Sequence, residues 1–248
     1  VLPSQQLEAF IHHYWSLHWD LRTPFTGEAL PHPAARIVLE ERDGACHAEV
    51  EGVRTSRSAK QRCGRGQIFG VQFRAAAFQP LLGAPMQSLT NRVVPAADVL
   101  GCEVDAWARA TLLEPTLEAK IAHTEAFLRP RLPSMPSEVE RLRDLVERIA
   151  FDRALCRVEH VAEALGVDVR TLQRRFRRFV GAHPKWVIKG FRLHEAAEQL
   201  RAAQPPTLAA LAVALGYADQ AHFARDFRLV MGRTPGSFTG KKATPRPR

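Results

Sequence analysis

Two short stretches of the chain carry side chains able to read the edges of nucleic-acid bases. Arg170, Gln173, Arg174 and Arg177 fall three and four residues apart, the spacing of one helix face. Gln220, Ala221, Ala224, Arg225 and Arg228 make a second stripe of the same kind. An arginine fork matches guanine O6 and N7, and a glutamine amide matches adenine N6 and N7. Arg177, Arg178, Lys185 and Arg228 add cations suited to phosphate oxygens. One charged stripe is as well explained by solvation of a helix. The same arginine at the same outward place of two similar segments is not.

The elements that must hold these side chains repeat with them. Asp168, Leu172, Arg174, Phe176, Gly181 and Pro184 recur as Asp219, Phe223, Arg225, Phe227, Gly232 and Pro235, at a constant offset of 51. Ala162 and Gly166 precede the first copy, and Ala212 and Gly216 precede the second at an offset of 50. Each copy predicts a helix-turn-helix. The alanine permits close helix crossing, the glycine makes the turn, and the aspartate caps the following helix. Leu172, Phe176 and Phe179, and in the second copy Phe223, Phe227 and Val230, lie at i, i+4, i+7 and face a core. Between the copies, residues 184–203 predict one helix with Trp186, Val187, Phe191 and Leu200 on its apolar side. At about 1.5 Å per residue it is about 30 Å long, close to the roughly 34 Å between successive major grooves.

VEHVAEALGVDVRTLQRRFRRFVGAHPKWVIKGFRLHEAAEQL and TLAALAVALGYADQAHFARDFRLVMGRTPGSF resemble the two units of the DNA-binding domain of AraC/XylS-type transcriptional regulators. The resemblance covers about 100 residues, and many positions agree in both spacing and type. It implies seven helices on double-stranded promoter DNA in a bacterial activator or repressor, with RNA polymerase as a partner for an activator. It also implies base contacts at Arg170, Gln173, Arg174, Gln220, Ala221 and Arg225. Ala221 is short where the family often has a longer polar residue, and Asp226 sets a negative charge beside Arg225. HHYWSL (12–17), ALPHPAARIVL (29–39) and residues 68–101 resemble an uncharacterised domain found ahead of many such regulators. In that setting it implies a barrel-like effector or dimerisation module.

Charge divides the chain in the same place. Residues 1–136 hold 14 Lys+Arg and 14 Asp+Glu, whereas residues 137–248 hold 21 and 12, so the whole net charge of +9 lies in the second half. Such asymmetry suggests a polyanion-binding module joined to a neutral one. The boundary is a linker with Pro130, Pro133 and Pro136 in seven residues. Upstream, residues 48–53, 67–74 and, more weakly, 36–42 predict strands. Helical spacing begins near residue 96, with Leu117, Ile121, Thr124 and Leu128 on one stripe. Downstream, Val139, Leu142, Leu145, Val146 and Ile149 trace one helix face after a Ser137 cap.

The expected fold is therefore α+β: an N-terminal β-sheet or barrel with helices, then an all-α double helix-turn-helix domain. Residues 1–129 form the first domain, 130–137 the linker, 138–240 the second domain and 241–248 a basic, disordered tail. An apolar fraction of 46% with 25% charged residues is that of a globular protein. No uncharged apolar run is long enough to span a membrane. VLPSQQLEAFIHHYW lacks a basic stretch followed by an apolar one, so no secretion signal and a cytoplasmic site are expected. Opening on Val1 suits a trimmed or processed chain.

Other chemistries are weakly supported. A cupin-type metal enzyme needs a His-x-His pair with a Glu, and none occurs. His12 and His13 are adjacent, which on a strand points them to opposite faces. His18, His32 and His47 are scattered. No G-x-S-x-G marks a nucleophile. No enzyme activity, cofactor or metal is expected. A small-molecule pocket in the first domain would draw on Tyr14, Trp15, Trp19 and Phe73 for apolar lining, with Arg36, Gln72 or Arg74 as polar anchors. Cys46, Cys63, Cys102 and Cys156 form no C-x-x-C pair and read as buried structural thiols. Cys63, beside Lys60, Arg62 and Arg65, is the candidate for the alternative, a thiol-based sensor or cysteine methyl acceptor coupled to DNA binding. A homodimer is a further expected partnership.

Overall fold

β2 (Arg36–Arg42) and β3 (Ala45–Glu51) pair around a tight turn. Two longer strands, β1 (Ile11–Ala29) and β4 (Ser58–Phe73), pair along most of their length. With β5 (Val93–Pro95) they complete a five-stranded antiparallel sheet of order β1-β4-β2-β3-β5. The computed structural model describes residues 1–29 and 31–238; the tail expected at 241–248 lies outside them.

Register separates the two faces of this sheet. Tyr14, Val71, Ile37 and Val50 form one row across four strands, and all are fully buried. This face is covered by α3 (Val104–Leu113) and α4 (Leu117–Leu128), beside the short helices α1 (Gln79–Leu82) and α2 (Ala97–Leu100). Trp15, Gly70 and Val38 form the next row, on the opposite face. A Cβ at Gly70 or Gly66 would run into the Trp15 or Trp19 indole. These glycines are therefore needed for the close approach of the rings. The far half of the β1–β4 ribbon folds over this second face. Lys60 lies opposite Gly27, yet its Nζ reaches Glu49 Oε2 (3.0 Å) and Glu51 Oε1 (3.1 Å) on β3.

Several details differ from the sequence expectations. The buried face of α4 is Lys120, Thr124, Glu125 and Leu128, with Leu117 and Ile121 only half-buried. The polar residues are tolerated because the sheet offers partners. Lys120 Nζ donates to Gln67 Oε1 at 2.6 Å, and Glu125 Oε1 accepts from Ser4 N and Tyr14 OH at 2.8 and 3.3 Å. Burial lowers the Lys120 pKa, and burial with the Glu125 charge raises that of Tyr14. Ser137 does not cap α5 (Ser137–Phe151); it is the first helical residue, and Pro136 precedes it with no capping side chain. His12 and His13 do not part: a bulge at this point of β1 brings their Nδ1 atoms to 2.7 Å. Among the described residues, no group of three or more His, Cys, Asp or Glu could hold a metal ion, and no helix is long and apolar enough to cross a membrane.

The downstream helices are α5, α6 (Val158–Leu165), α7 (Val169–Arg175), α8 (Pro184–Leu200), α9 (Leu208–Ala214) and α10 (Gln220–Met231). α7 continues into a π-helical turn, Phe176–Val180, and the implied seventh helix is a single 3-10 turn at Pro235–Ser237. The apolar core does not follow the proline-rich linker. One cluster of buried residues runs from Leu7 to Ile188, joining the sheet, its helices and the first helix-turn-helix. A second runs from Leu193 to Phe238 and belongs to the second unit. The division falls inside α8.

Candidate nucleic-acid interface

Each copy of the repeat builds its exposed stripe from local contacts. Asp168 Oδ1 accepts from Thr171 N at 2.9 Å and Asp219 Oδ1 from His222 N at 2.7 Å, so each second helix begins on a side-chain cap. The bonds from Thr171 hold the Asp168 carboxyl below its usual pKa. Gly166 and Gly216 take φ of +68° and +78°, closing the turns before the caps. Leu172, Phe176, Phe179, Phe223, Phe227 and Val230 are all buried, as their i, i+4, i+7 spacing requires.

With that face fixed, the other faces outward. Arg170, Gln173, Arg174, Arg177 and Arg178 are exposed on α7 and its continuation, and Gln220, Ala221, Arg225 and Arg228 on α10; Lys185 is exposed at the start of α8. Asp226 does not lie free beside Arg225. It is half-buried and receives Lys189 Nζ at 2.7 Å. α8, between the units, spans 17 residues rather than the expected 20, about 26 Å.

A feature not legible in the sequence is the seat of the first domain on both units. Thr90 Oγ1 donates to Gly181 O at 2.5 Å, and Trp186 Nε1 to Thr55 O at 3.2 Å. Thr55 N in turn donates to Asn91 Oδ1 at 2.8 Å, which ties these two loops together. At Gly232, the counterpart of Gly181, a Cβ would run into the Arg57 side chain. One corner of the first domain therefore touches the ends of both stripe-bearing helices. Arg74 joins the same interface: Nη1 donates to Glu147 Oε1 of α5 at 2.5 Å.

The expected pocket residues are distributed by register. Trp15, Trp19, Arg36 and Gln72 share the ribbon-covered face; Tyr14 and Phe73 lie in the core on the other; Arg74 leaves the sheet for α5. Gln72 is itself occupied, donating to Ala35 O at 3.1 Å. The sequence did not place Glu51, Arg54, Lys60 or Arg62 at this face. Glu51 is 2% exposed and accepts from Arg36 Nε at 2.6 Å. Burial pushes its carboxyl up, but Arg36 and Lys60 outweigh that and hold it below the usual range. Arg36 also lies over the Trp15 ring and Arg62 over Trp19. Beside Trp19 a cleft of about 600 Å³ opens between His18, Asp20, Glu41 and Arg65.

The thiols are not the buried set expected. Cys63, Cys102 and Cys156 are exposed and Cys46 is half-buried, and burial raises the Cys46 pKa. Cys63 alternates with Arg62 along β4, and Lys60 is engaged with Glu49 and Glu51, so these two cations do not gather on its sulfur.

Comparison with known proteins gives two separate family matches along the chain. Residues 1–95 match a domain of unknown function, DUF6597, and residues 161–241 match a helix-turn-helix domain family, HTH_18. A curated protein of Streptomyces antibioticus, named as an AraC-like transcription regulator, is 35% identical over 81 residues, which are 33% of this chain and 26% of that protein. The chain thus spans about a quarter of that relative's length. A solved AraC-type regulator from Chromobacterium violaceum is 22% identical, covering 43% of this chain and 95% of that one at a TM-score of 0.38. ToxT from Vibrio cholerae O395 is 10% identical, covering 93% and 97% at 0.41. At these scores the overlays are loose, and the assignment rests on the sequence match across both copies of the repeat. By that match the chain carries, behind a domain of unknown function, the helix-turn-helix domain of the AraC-type regulators.

Proposed function

We propose that the protein is a non-enzymatic, sequence-specific transcriptional regulator that reads two adjacent major grooves of promoter DNA. The observation that carries this reading is the exposure of Arg174 and Arg225 at equivalent places on two aspartate-capped helices whose opposite faces are buried. Residues 138–240 form the reading module, joined through 130–137 to residues 1–129. Arg170, Gln173, Arg174, Gln220 and Arg225 address bases, with Ala221 offering only apolar contact. Arg177, Arg178, Lys185 and Arg228 grip phosphates, giving affinity that falls steeply with salt. Since α8 is shorter than the groove repeat, the long arginine side chains and bending of the duplex take up the difference.

Arg174→Ala tests this reading. Sequencing of genomic fragments retained at about 0.15 M salt should show relaxed preference at the base it reads, with a loss of about 1–3 kcal/mol on the preferred sequence. Equal loss on every sequence would reduce Arg174 to a phosphate contact.

The Trp15–Trp19–Arg36 face is the proposed small-molecule site through which the first domain biases DNA binding. Trp19 Nε1 and Arg62 Nε are buried there without a hydrogen-bond partner, and such groups are ordinarily satisfied by solvent or ligand. A ligand found by tryptophan fluorescence should lose its signal in Trp19→Phe and retain it in Trp107→Phe. The reverse pattern would move the site to α3.

A further inference from the structure

We propose that one phosphate strand of the bound duplex runs between the first reading helix and the first domain, so that residues 79–87 form the second wall of a DNA-backbone channel. This rests on the DNA-binding reading above. A cleft of about 610 Å³ separates Arg174, Arg177 and Arg178 from Gln79, Pro85 and Gln87. Among the described residues no carboxylate pairs with Arg170, Arg174, Arg177 or Arg178, whereas the intervening Arg175 is held by Glu138 Oε1 at 2.7 Å. The cleft therefore holds a concentration of uncompensated positive charge.

The facing wall leaves that charge uncompensated. Residues 1–136 are neutral as a whole, yet the stretch from Gly52 to Ala97 contains no Asp or Glu, and residues 79–87 themselves carry no charged side chain. A wall that served to hold the helix shut would gain from carboxylates opposite these arginines; a wall beside a polyanion would exclude them. The wall is also fixed in place. Thr90 bonds Gly181 O, and a Cβ on Gly181 would approach Met86 O to 3.0 Å, so the Met86–Leu89 turn sits against the end of the reading helix. A helix in a major groove about 12 Å wide has a phosphate strand on either side. On this side the strand must pass between the helix and the wall.

The test uses the full chain, a duplex carrying its selected motif, and the variants Gln87→Lys and Gln87→Glu. Gln87 is exposed, so neither change disturbs the core. Gln87→Lys is expected to tighten binding and to steepen the slope of log K against log salt by about 0.9, one further phosphate neutralised. Gln87→Glu should weaken binding about tenfold at 0.15 M salt. Neither should change base preference. Unchanged affinity and slope in both variants would route the strand elsewhere. Tighter binding of Gln87→Lys with an unchanged slope would mean that the new lysine neutralises no phosphate, and would equally overturn the channel. A wild-type chain that selects no duplex would instead overturn the DNA-binding reading itself.

Discussion

Phe227→Ala is expected to melt the second helix-turn-helix in a transition of its own, at a cost of about 3–5 kcal/mol. Phe227 is fully buried, with ring centroids 5.5 Å from Phe223 and 5.1 Å from Phe238, both edge-on. The cluster it belongs to has only eleven buried residues, from Leu193 to Phe238, and is separate from the core that joins the rest of the chain. A cavity in so small a core has few neighbours able to close it. Calorimetry should show an early transition followed by the main one, with DNA selection reduced to the half-site of the first unit. A single transition at the wild-type temperature would place Phe227 outside any packed core.

Glu51→Gln is expected to destabilise the sheet and the core it shares with the first helix-turn-helix by about 3 kcal/mol, the low end for breaking a buried ion pair, because Arg36 and Lys60 keep part of their surface in water. The substitution keeps the shape of the side chain and removes the one charge shared by Arg36, Arg54 and Lys60. Because the folded carboxyl titrates below its unfolded value, its contribution is present above about pH 4.3 and is lost as pH falls through the lower, folded value. Wild type should therefore lose stability over that acidic window and Glu51→Gln should lose less. Denaturant melts that fall in parallel for the two proteins would show that Glu51 does not carry this dependence.

The repeat was legible because its determinants are local. Asp168 and Asp219 cap helices through bonds to residues three positions on, Gly166 and Gly216 end the preceding helices, and Phe176 and Phe227 face inward by helical period. β2 was found at its observed limits for the same reason, as both of its edges are turn or loop. β1 was not found, although it is the longest strand. Its sequence puts bulky or polar residues on both faces, since Trp15 and Trp19 lie over glycines of β4 while Tyr14 points into the core. No alternation of apolar and polar residues survives to announce it. The meeting of His12 and His13 depends likewise on a bulge against β4, some sixty positions away.

By itself, the amino-acid order determined the two helix-turn-helix units, the outward stripes with Arg174 and Arg225, and the charge imbalance that makes polyanion binding reasonable. Each follows from interactions within about fifteen residues or from composition. Only the tertiary structure decided which expected pocket residues share a face, that the core crosses the proline linker and divides inside α8, and that one corner of the first domain meets both Gly181 and Gly232. Those outcomes turn on strand register and on packing between residues far apart in sequence. Neither leaves a periodic signal in the sequence.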